Sequence, residues 1–296
     1  MTASTRPGAT LTPERLDEAR RVSEELRAGR RSIVFVGGLH RSGTSLLHRC
    51  LAAHPDASGF RETGVPEDEG QHLQSVYRPA RAHGGPGRFG FDPGAHLTEE
   101  SPLVTDESRE RLAADWGPHW DLSRRVLVEK SPPNLIRGRF LQAMFPGARL
   151  VMMMRHPIAV ACATRKWSWS SYSELVEHWL VCHETLICDA PHLRDPVILR
   201  YEDLVADPDR VLEAAFRAAG LAPHPSGITV RTGINDAYFR RWSGRRWNPV
   251  KRADTDRAVH RFEERVRRFG YSLREPGRLD VPPEPAMARS LAASGA

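Results

Sequence analysis

The chain has 296 residues, carries 43 Lys and Arg against 37 Asp and Glu for a formal net charge of +6, and is 40% hydrophobic. That balance is ordinary for a folded protein and too apolar for a wholly disordered one. The sequence has no run of 18 apolar residues, which excludes a membrane-spanning helix, and its positive charge favours anionic partners without choosing among nucleic acid, phospholipid and phosphorylated small molecules.

In chain order, residues 1–10 read as a loose tail. Leu11, Leu16, Val22 and Leu26 then recur on one helical face, with Thr12 placed to cap before Pro13. The opening stretch lacks the apolar core of a signal peptide, so a cytoplasmic protein is expected. Short apolar runs at Ser32 to Val36, Val126 to Glu129, Arg149 to Met154 and Pro196 to Arg200 read as parallel strands. Helical patterns fill the intervals at Thr44 to Ala53, Asn134 to Phe145, Ser173 to Cys188, Asp209 to Ala219 and Thr255 to Phe269. This alternation predicts an α/β fold, a three-layer sandwich with a central parallel sheet. The Gly/Pro-rich, basic stretch Arg78 to Pro93 reads as a surface loop near the mouth of a site, and Pro276 to Ala296 as a flexible tail. The expected organisation is one domain over residues 31–275, with the first helix of residues 1–30 packed on it. Cys50, Cys162, Cys182 and Cys188 form no C-x-x-C pair and are expected to be buried thiols.

The most informative segment is Ser32 to Leu51, in which an apolar strand runs into Gly37-Gly38-Leu39-His40-Arg41-Ser42-Gly43-Thr44-Ser45 and then an amphipathic helix. Strand, loop and helix in this order present backbone N–H groups and a helix N-terminus to a phosphate, so a phosphorylated ligand is expected. Gly38 and Gly43 have the spacing of the nucleotide-binding loop G-x-x-x-x-G-K-[ST]. Thr44, however, stands where that loop has its lysine, and the cation is Arg41 instead. A kinase or NTPase is therefore the weaker reading.

The segment Leu39 to Leu46 (LHRSGTSL), followed by His54-Pro55-Asp56, resembles the 5′-phosphosulfate loop of sulfotransferases that use 3′-phosphoadenosine-5′-phosphosulfate (PAPS), particularly the bacterial and tyrosylprotein-type branch. Glu129-Lys130-Ser131-Pro132, Met152 to Thr164 and Arg200 to Leu204 (RYEDL) resemble that family's later motifs in the same order. The resemblance implies a P-loop-like fold and sulfuryl transfer from PAPS to a hydroxyl or amine of a small molecule or peptide. 3′-Phosphoadenosine-5′-phosphate (PAP) is then the product, no metal is required, and no nucleic acid partner is expected. It assigns Arg41, Ser42, Gly43, Thr44 and Ser45 to the 5′-phosphosulfate, Lys130 to the leaving oxygen and Arg155 to the 3′-phosphate. The family's usual serine falls at Ala163, so either Thr164 supplies that hydroxyl or one contact is missing. Tyr201 either meets the adenine or closes the core. The general base lies within Gly59 to His72: Glu62 is favoured, His72 is second, and Glu67-Asp68-Glu69 reads as a helix N-terminus. By the same resemblance a C-terminal loop covers the nucleotide, with Arg240, Arg241 and Lys251 as possible contacts. A member that binds nucleotide without catalysis is the other alternative. His178, Cys182 and His183 at helical spacing read as core and surface rather than a metal site.

Overall fold

The structure is a computed structural model in which residues 12–244 and 249–281 are described. Thr12 caps α1 (Pro13–Arg27), its hydroxyl accepting the Arg15 N–H at 3.4 Å, and Pro13 supplies the preset φ of a first helical residue. Ala19, Val22 and Leu26 of this helix are buried in the core. Leu11 and the preceding tail lie outside the described residues.

Five strands, β1 (Ser32–Gly38), β2 (Ala57–Gly59), β3 (Val126–Lys130), β4 (Arg149–Met154) and β5 (Val197–Arg200), form one parallel sheet in the order β2-β3-β1-β4-β5. Parallel strands covered on both faces read as unbroken apolar runs, which is why four of the five were visible in the sequence. β2, with three residues, is too short to carry a pattern. One face of the sheet, including Phe35, Leu127 and Met152, packs on α3 (Asp106–Trp116), α4 (Gly138–Met144) and α6 (Tyr172–Asp189) through Trp116, Phe140 and Trp179. The other, including Val36, Val128 and Met153, packs on α2 (Thr44–Ala52) and α8 (Pro208–Ala218) through Leu47, Leu51 and Phe216. The three-layer α/β architecture is thus present. α5 (Pro157–Thr164), α7 (Tyr201–Ala206), α9 (Ile234–Ser243) and α10 (Pro249–Arg267) complete the helices used below.

Several expectations need correction. The helix expected over Asn134 to Phe145 is a 3-10 turn at Pro132–Ile136 followed by the short α4. The break falls where Asn134 turns its side-chain amide onto the Val36 carbonyl and Glu129, and where Arg137 leaves helical geometry at φ −127°. RYEDL is no turn, since Arg200 ends β5 and Tyr201 begins α7. The surface loop expected over Arg78 to Pro93 contains 3-10 turns and buries Ala80, His83 and Phe89. Pro276 to Asp280 is tied down: the Arg200 guanidinium donates to the Asp280 carbonyl at 3.0 Å, and the Asp280 N–H to Gly270 O at 2.9 Å. The remainder of that expected tail, residues 282–296, lies outside the described residues. Cys188 is exposed, unlike the other three cysteines. No helix among the described residues is long and apolar enough to cross a membrane.

From β1 the chain fills one side of the sheet with β2 and β3 and then crosses to the other side with β4 and β5, so the C-terminal end of β1 is the switch point of the sheet, where open α/β folds leave a crevice. In register, Val36 pairs with Lys130 and Gly38 with Met153, which brings the ends of the three central strands level.

Burial also shapes the acid behaviour of the fold. It holds His40, His48, His156 and His178 down to about 3 and His183 to about 4, so these rings are neutral when folded and protonate near 6.5 when unfolded. The unfolded chain then binds more protons, and stability falls as pH drops from 6.5 toward 4. Glu69 and Glu129, whose carboxyls burial pushes up, act in the opposite sense but are outnumbered. The urea midpoint is expected to fall steadily from pH 7 to pH 4.5, each net proton taken up on unfolding contributing about 1.4 kcal/mol per pH unit. A flat profile would show that these rings are charged in the folded protein.

Candidate active site

The turn from β1 into α2 is built for an anion. Arg41 takes a left-handed φ of 70° and Gly43, the N-cap of α2, a φ of 105°. A Cβ on Gly43 would stand 2.7 Å from the Tyr201 ring, so both backbone and packing demand glycine. The first-turn N–H groups of a helix have no partner within it, and here they open onto the end of the sheet. Inside the turn the Ser42 hydroxyl is fully buried without a partner. Loop, orphaned hydroxyl and helix terminus together fit a phosphate or sulfate group.

At the end of β3, Lys130 is 1% exposed. Its ammonium donates to the Glu67 carbonyl at 2.7 Å and meets Glu69 Oε1 at 3.3 Å. Glu69 is itself 6% exposed, and burial holds its carboxyl above the ordinary carboxylate range despite the lysine. His72 Nε2 lies 3.7 Å from Glu69 Oε2, and burial, with Arg81 and Lys130, pushes its ring down. Three left-handed residues, Glu62, Glu67 and Asp68, precede Glu69, and Asp68 fastens that turn by accepting the Thr63 N–H at 2.8 Å and the Thr63 hydroxyl at 2.7 Å.

Arg155 follows β4 directly. Its guanidinium donates to Asn235 Oδ1 at 3.0 and 2.7 Å and to the Arg41 carbonyl at 2.9 Å, and it lies 4.1 Å from the centre of the Tyr201 ring. Asn235 is in turn held by Glu202, which also accepts the His156 N–H and the Tyr271 hydroxyl. Burial pushes the Arg155 guanidinium pKa down.

These three strand ends surround one cleft of about 650 Å³. Arg41, Arg49, Arg155 and Arg231 bring cations to its wall, with Glu67, Glu69, Trp167 and Tyr201 among the other lining residues. A polyanion with an aromatic or ribose part suits such a wall.

The sulfotransferase family profile matches residues 33–225. The chain belongs to the sulfotransferase family. Among curated relatives it is 26% identical over 193 residues to protein-tyrosine sulfotransferase 1 of Danio rerio, covering 62% of this chain and 52% of that one. It is also 27% identical over 262 residues to nodulation protein NoeE of Sinorhizobium fredii, covering 77% and 59%. The chain thus spans between half and three fifths of the length of these relatives. The solved sulfotransferase domain of the Synechococcus PCC 7002 olefin synthase is similar at TM-score 0.48 and 18% identity, covering 82% of this chain and 95% of that one.

Of the site residues that the sulfotransferase resemblance implied, Arg41, Gly43, Thr44, Ser45, Arg155 and Tyr201 line the cleft. Ser42 is buried within its loop, and Lys130 stands against the lining residue Glu69. Glu62 is not brought there: it is exposed at φ 53°, and its N–H serves Asp68. His72 backs Glu69 without lining the cleft. Thr164 is not brought to Arg155 either, since its buried, unpartnered hydroxyl faces a separate small void bounded by His40, Gly87 and His178. Glu67 and Asp68 belong to a 3-10 turn, Pro66–Asp68, rather than the start of an α-helix, and Glu69 joins it to a second such turn, Gly70–His72, which is how Glu69 reaches Lys130. Of the C-terminal contacts implied, Arg240 lines a different cavity, the Lys251 side chain lies outside the described residues, and Arg231 and Ile234 line the cleft instead. Glu69 and Asn235 are the residues that sequence reading missed. Neither carried a signal: Glu69 stands in a run of acids, and Asn235 in an aromatic and basic segment. His178 accepts the Gly90 N–H and His183 bonds the Trp179 carbonyl, both within the core.

Gly43→Ala is expected to cost about 2 kcal/mol through its left-handed φ and the overlap with Tyr201, read as a lower Tm with unchanged circular dichroism. Wild-type stability in this variant would mean that the turn is more pliable than its packing requires.

Proposed function

We propose that the protein transfers a sulfuryl group from PAPS to a hydroxyl or amine of a small-molecule or peptide acceptor. The observation that carries this reading is the convergence of an anion loop, a buried Lys130–Glu69 pair and a buried arginine on the ends of three adjacent strands around one cleft. The family membership and the name of the Danio rerio relative support the reaction class.

The bound donor supplies the sulfuryl group and a phosphate leaving group. The first-turn N–H groups of α2, the Thr44 and Ser45 hydroxyls and Arg41 bind the 5′ end of the donor, and Arg155, positioned by Asn235, reads the 3′-phosphate. Lys130 stabilises the charge that grows on the leaving oxygen as its bond to sulfur breaks. Glu69 accepts the acceptor proton as the new sulfur–oxygen or sulfur–nitrogen bond forms. Its raised carboxyl pKa brings its basicity nearer to neutral pH, which suits a general base. Glu67 also lines the cleft, but its carboxylate is exposed and receives the Ser45 hydroxyl at 3.3 Å, which suits it to steadying the loop.

Isothermal titration without metal should show PAP binding far more tightly than 5′-AMP, ADP or ATP. Arg155→Ala should weaken PAP binding by at least tenfold while leaving 5′-AMP little changed. A preference for ATP would sink the donor assignment. Once an acceptor is in hand, Lys130→Ala and Glu69→Gln should each lower kcat by at least a hundredfold with a smaller effect on PAP affinity, and Glu62→Gln should leave kcat within twofold. Because Glu69 must be ionised to act, the wild-type rate should fall as pH drops through its raised pKa. Glu69→Gln should lose that limb.

A further inference from the structure

Glu129 precedes Lys130 on β3 and is 0% exposed, yet the chemistry above gives it no task. Successive strand residues point to opposite faces, so Glu129 and Lys130 flank the end of β3. The turn carrying Glu69, Gly70 and Gln71 passes over both. Ser131 Oγ donates to Glu129 Oε1 at 2.6 Å, which leaves the serine oxygen free to accept the Gln71 N–H at 2.8 Å. The Gln71 side chain then donates to Glu69 Oε2 at 2.5 Å, while its oxygen accepts the Ala80 N–H at 2.7 Å. Asn134 donates to Glu129 Oε2 at 2.5 Å and to the Val36 carbonyl at 3.1 Å, tying the same carboxylate to the strand that enters the anion loop. Gly70 lies so close that a Cβ there would overlap the Glu129 carboxylate.

We propose that Glu129 is a positioning residue: through Ser131 and Gln71 it fixes the Glu69 carboxylate against Lys130, in the place where Glu69 takes the acceptor proton. The inference rests on the sulfuryl-transfer reading. A buried carboxylate is expensive unless every lone pair is used, and an apolar residue would fill the same space at lower cost, so a carboxylate here suits a positional duty. Only an acceptor at this point orients the single Ser131 proton away from Gln71. A glutamine at 129 carries both donors on one end of its amide. With its oxygen kept toward Asn134, its amide nitrogen faces Ser131, so that bond is reversed: the serine can only accept there, its proton loses its acceptor, and nothing directs that proton away from Gln71. Burial pushes the Glu129 carboxyl up to about 7. The charged and titratable groups facing it are Lys130, Glu69, Tyr77 and Arg137. The ionised form accepts both hydrogen bonds, so positioning weakens as pH falls through neutrality.

The test compares wild type, Glu129→Gln, Ser131→Ala and the double variant, with 35S-labelled PAPS as donor and water as acceptor. PAP affinity is measured alongside by isothermal titration, and Tm by thermal scan. Both single variants should bind PAP within twofold of wild type and cleave PAPS at least tenfold more slowly. The double variant should be no worse than the slower single variant, because both act along one path. Wild type should show an acid limb near pH 7 set by Glu129, which Glu129→Gln lacks while keeping the limb set by Glu69. Unchanged cleavage and pH profile in the single variants, or a change in Tm alone, would overturn the inference. If Glu129→Gln does not fold, Ser131→Ala, which leaves the carboxylate in place, decides by the same rate criterion. A wild type that fails to bind PAP overturns the donor assignment and this inference with it, whereas a binding wild type with indifferent variants overturns this inference alone.

Discussion

The buried contact between Lys130 and Glu69 is the constraint around which the site is arranged. An ammonium at 1% exposure cannot stay charged without partners, and the Glu67 carbonyl and the Glu69 carboxylate are the two acceptors within reach. Satisfying Lys130 obliges the chain between Phe60 and Gln71 to fold back over the end of β3. That return accounts for the left-handed backbone at Glu67 and Asp68 and for the Asp68–Thr63 fastening. Removing either member of the pair would leave the other buried without its counter-charge, with the Glu67 carbonyl to hold Lys130 or the Gln71 amide to hold Glu69.

Arg155 presents the same problem in a different form. It too is buried, but its charge is met by neutral oxygens of Asn235 and Arg41 and by the Tyr201 face rather than by a carboxylate. The nearest carboxylate, Glu202, is held one step away by Asn235, His156 and Tyr271. An arginine so placed keeps its charge available to an incoming anion, since no acid neutralises it in advance. On the cleft wall, Arg41 lies under Trp167, with its guanidinium 4.8 Å from the ring centre. The cations of the wall are therefore oriented by carbonyls, an amide and aromatic rings, and the two acids of the cleft sit on the β3 side.

Much of this was legible in the sequence. The β1 loop and α2 announced themselves because glycine spacing, hydroxyls and an amphipathic helix sit within twenty consecutive residues. Arg155 was legible because it ends an apolar strand. Glu69 was not: an acid in a run of acids looks like a helix start, and 3-10 turns of three residues carry no periodicity from which to read a face. Thr164 failed for a related reason. Proximity in sequence to Arg155 suggested a shared ligand, but α5 carries its last residue into the core beside Gly87, away from the cleft.

The sequence alone determined the α/β class, the central parallel strands and the turn from β1 into α2, because each is written in local pattern: unbroken apolar runs, helical spacing and a glycine-rich turn. The tertiary structure alone decided which acid faces Lys130, which side chain holds Arg155 and where Glu129 is buried. Those pairings join residues 61, 80 and 59 positions apart, as in Lys130 with Glu69, Arg155 with Asn235 and Gly70 with Glu129. They follow from strand order and register at the switch point, a long-range outcome of packing that no local pattern records.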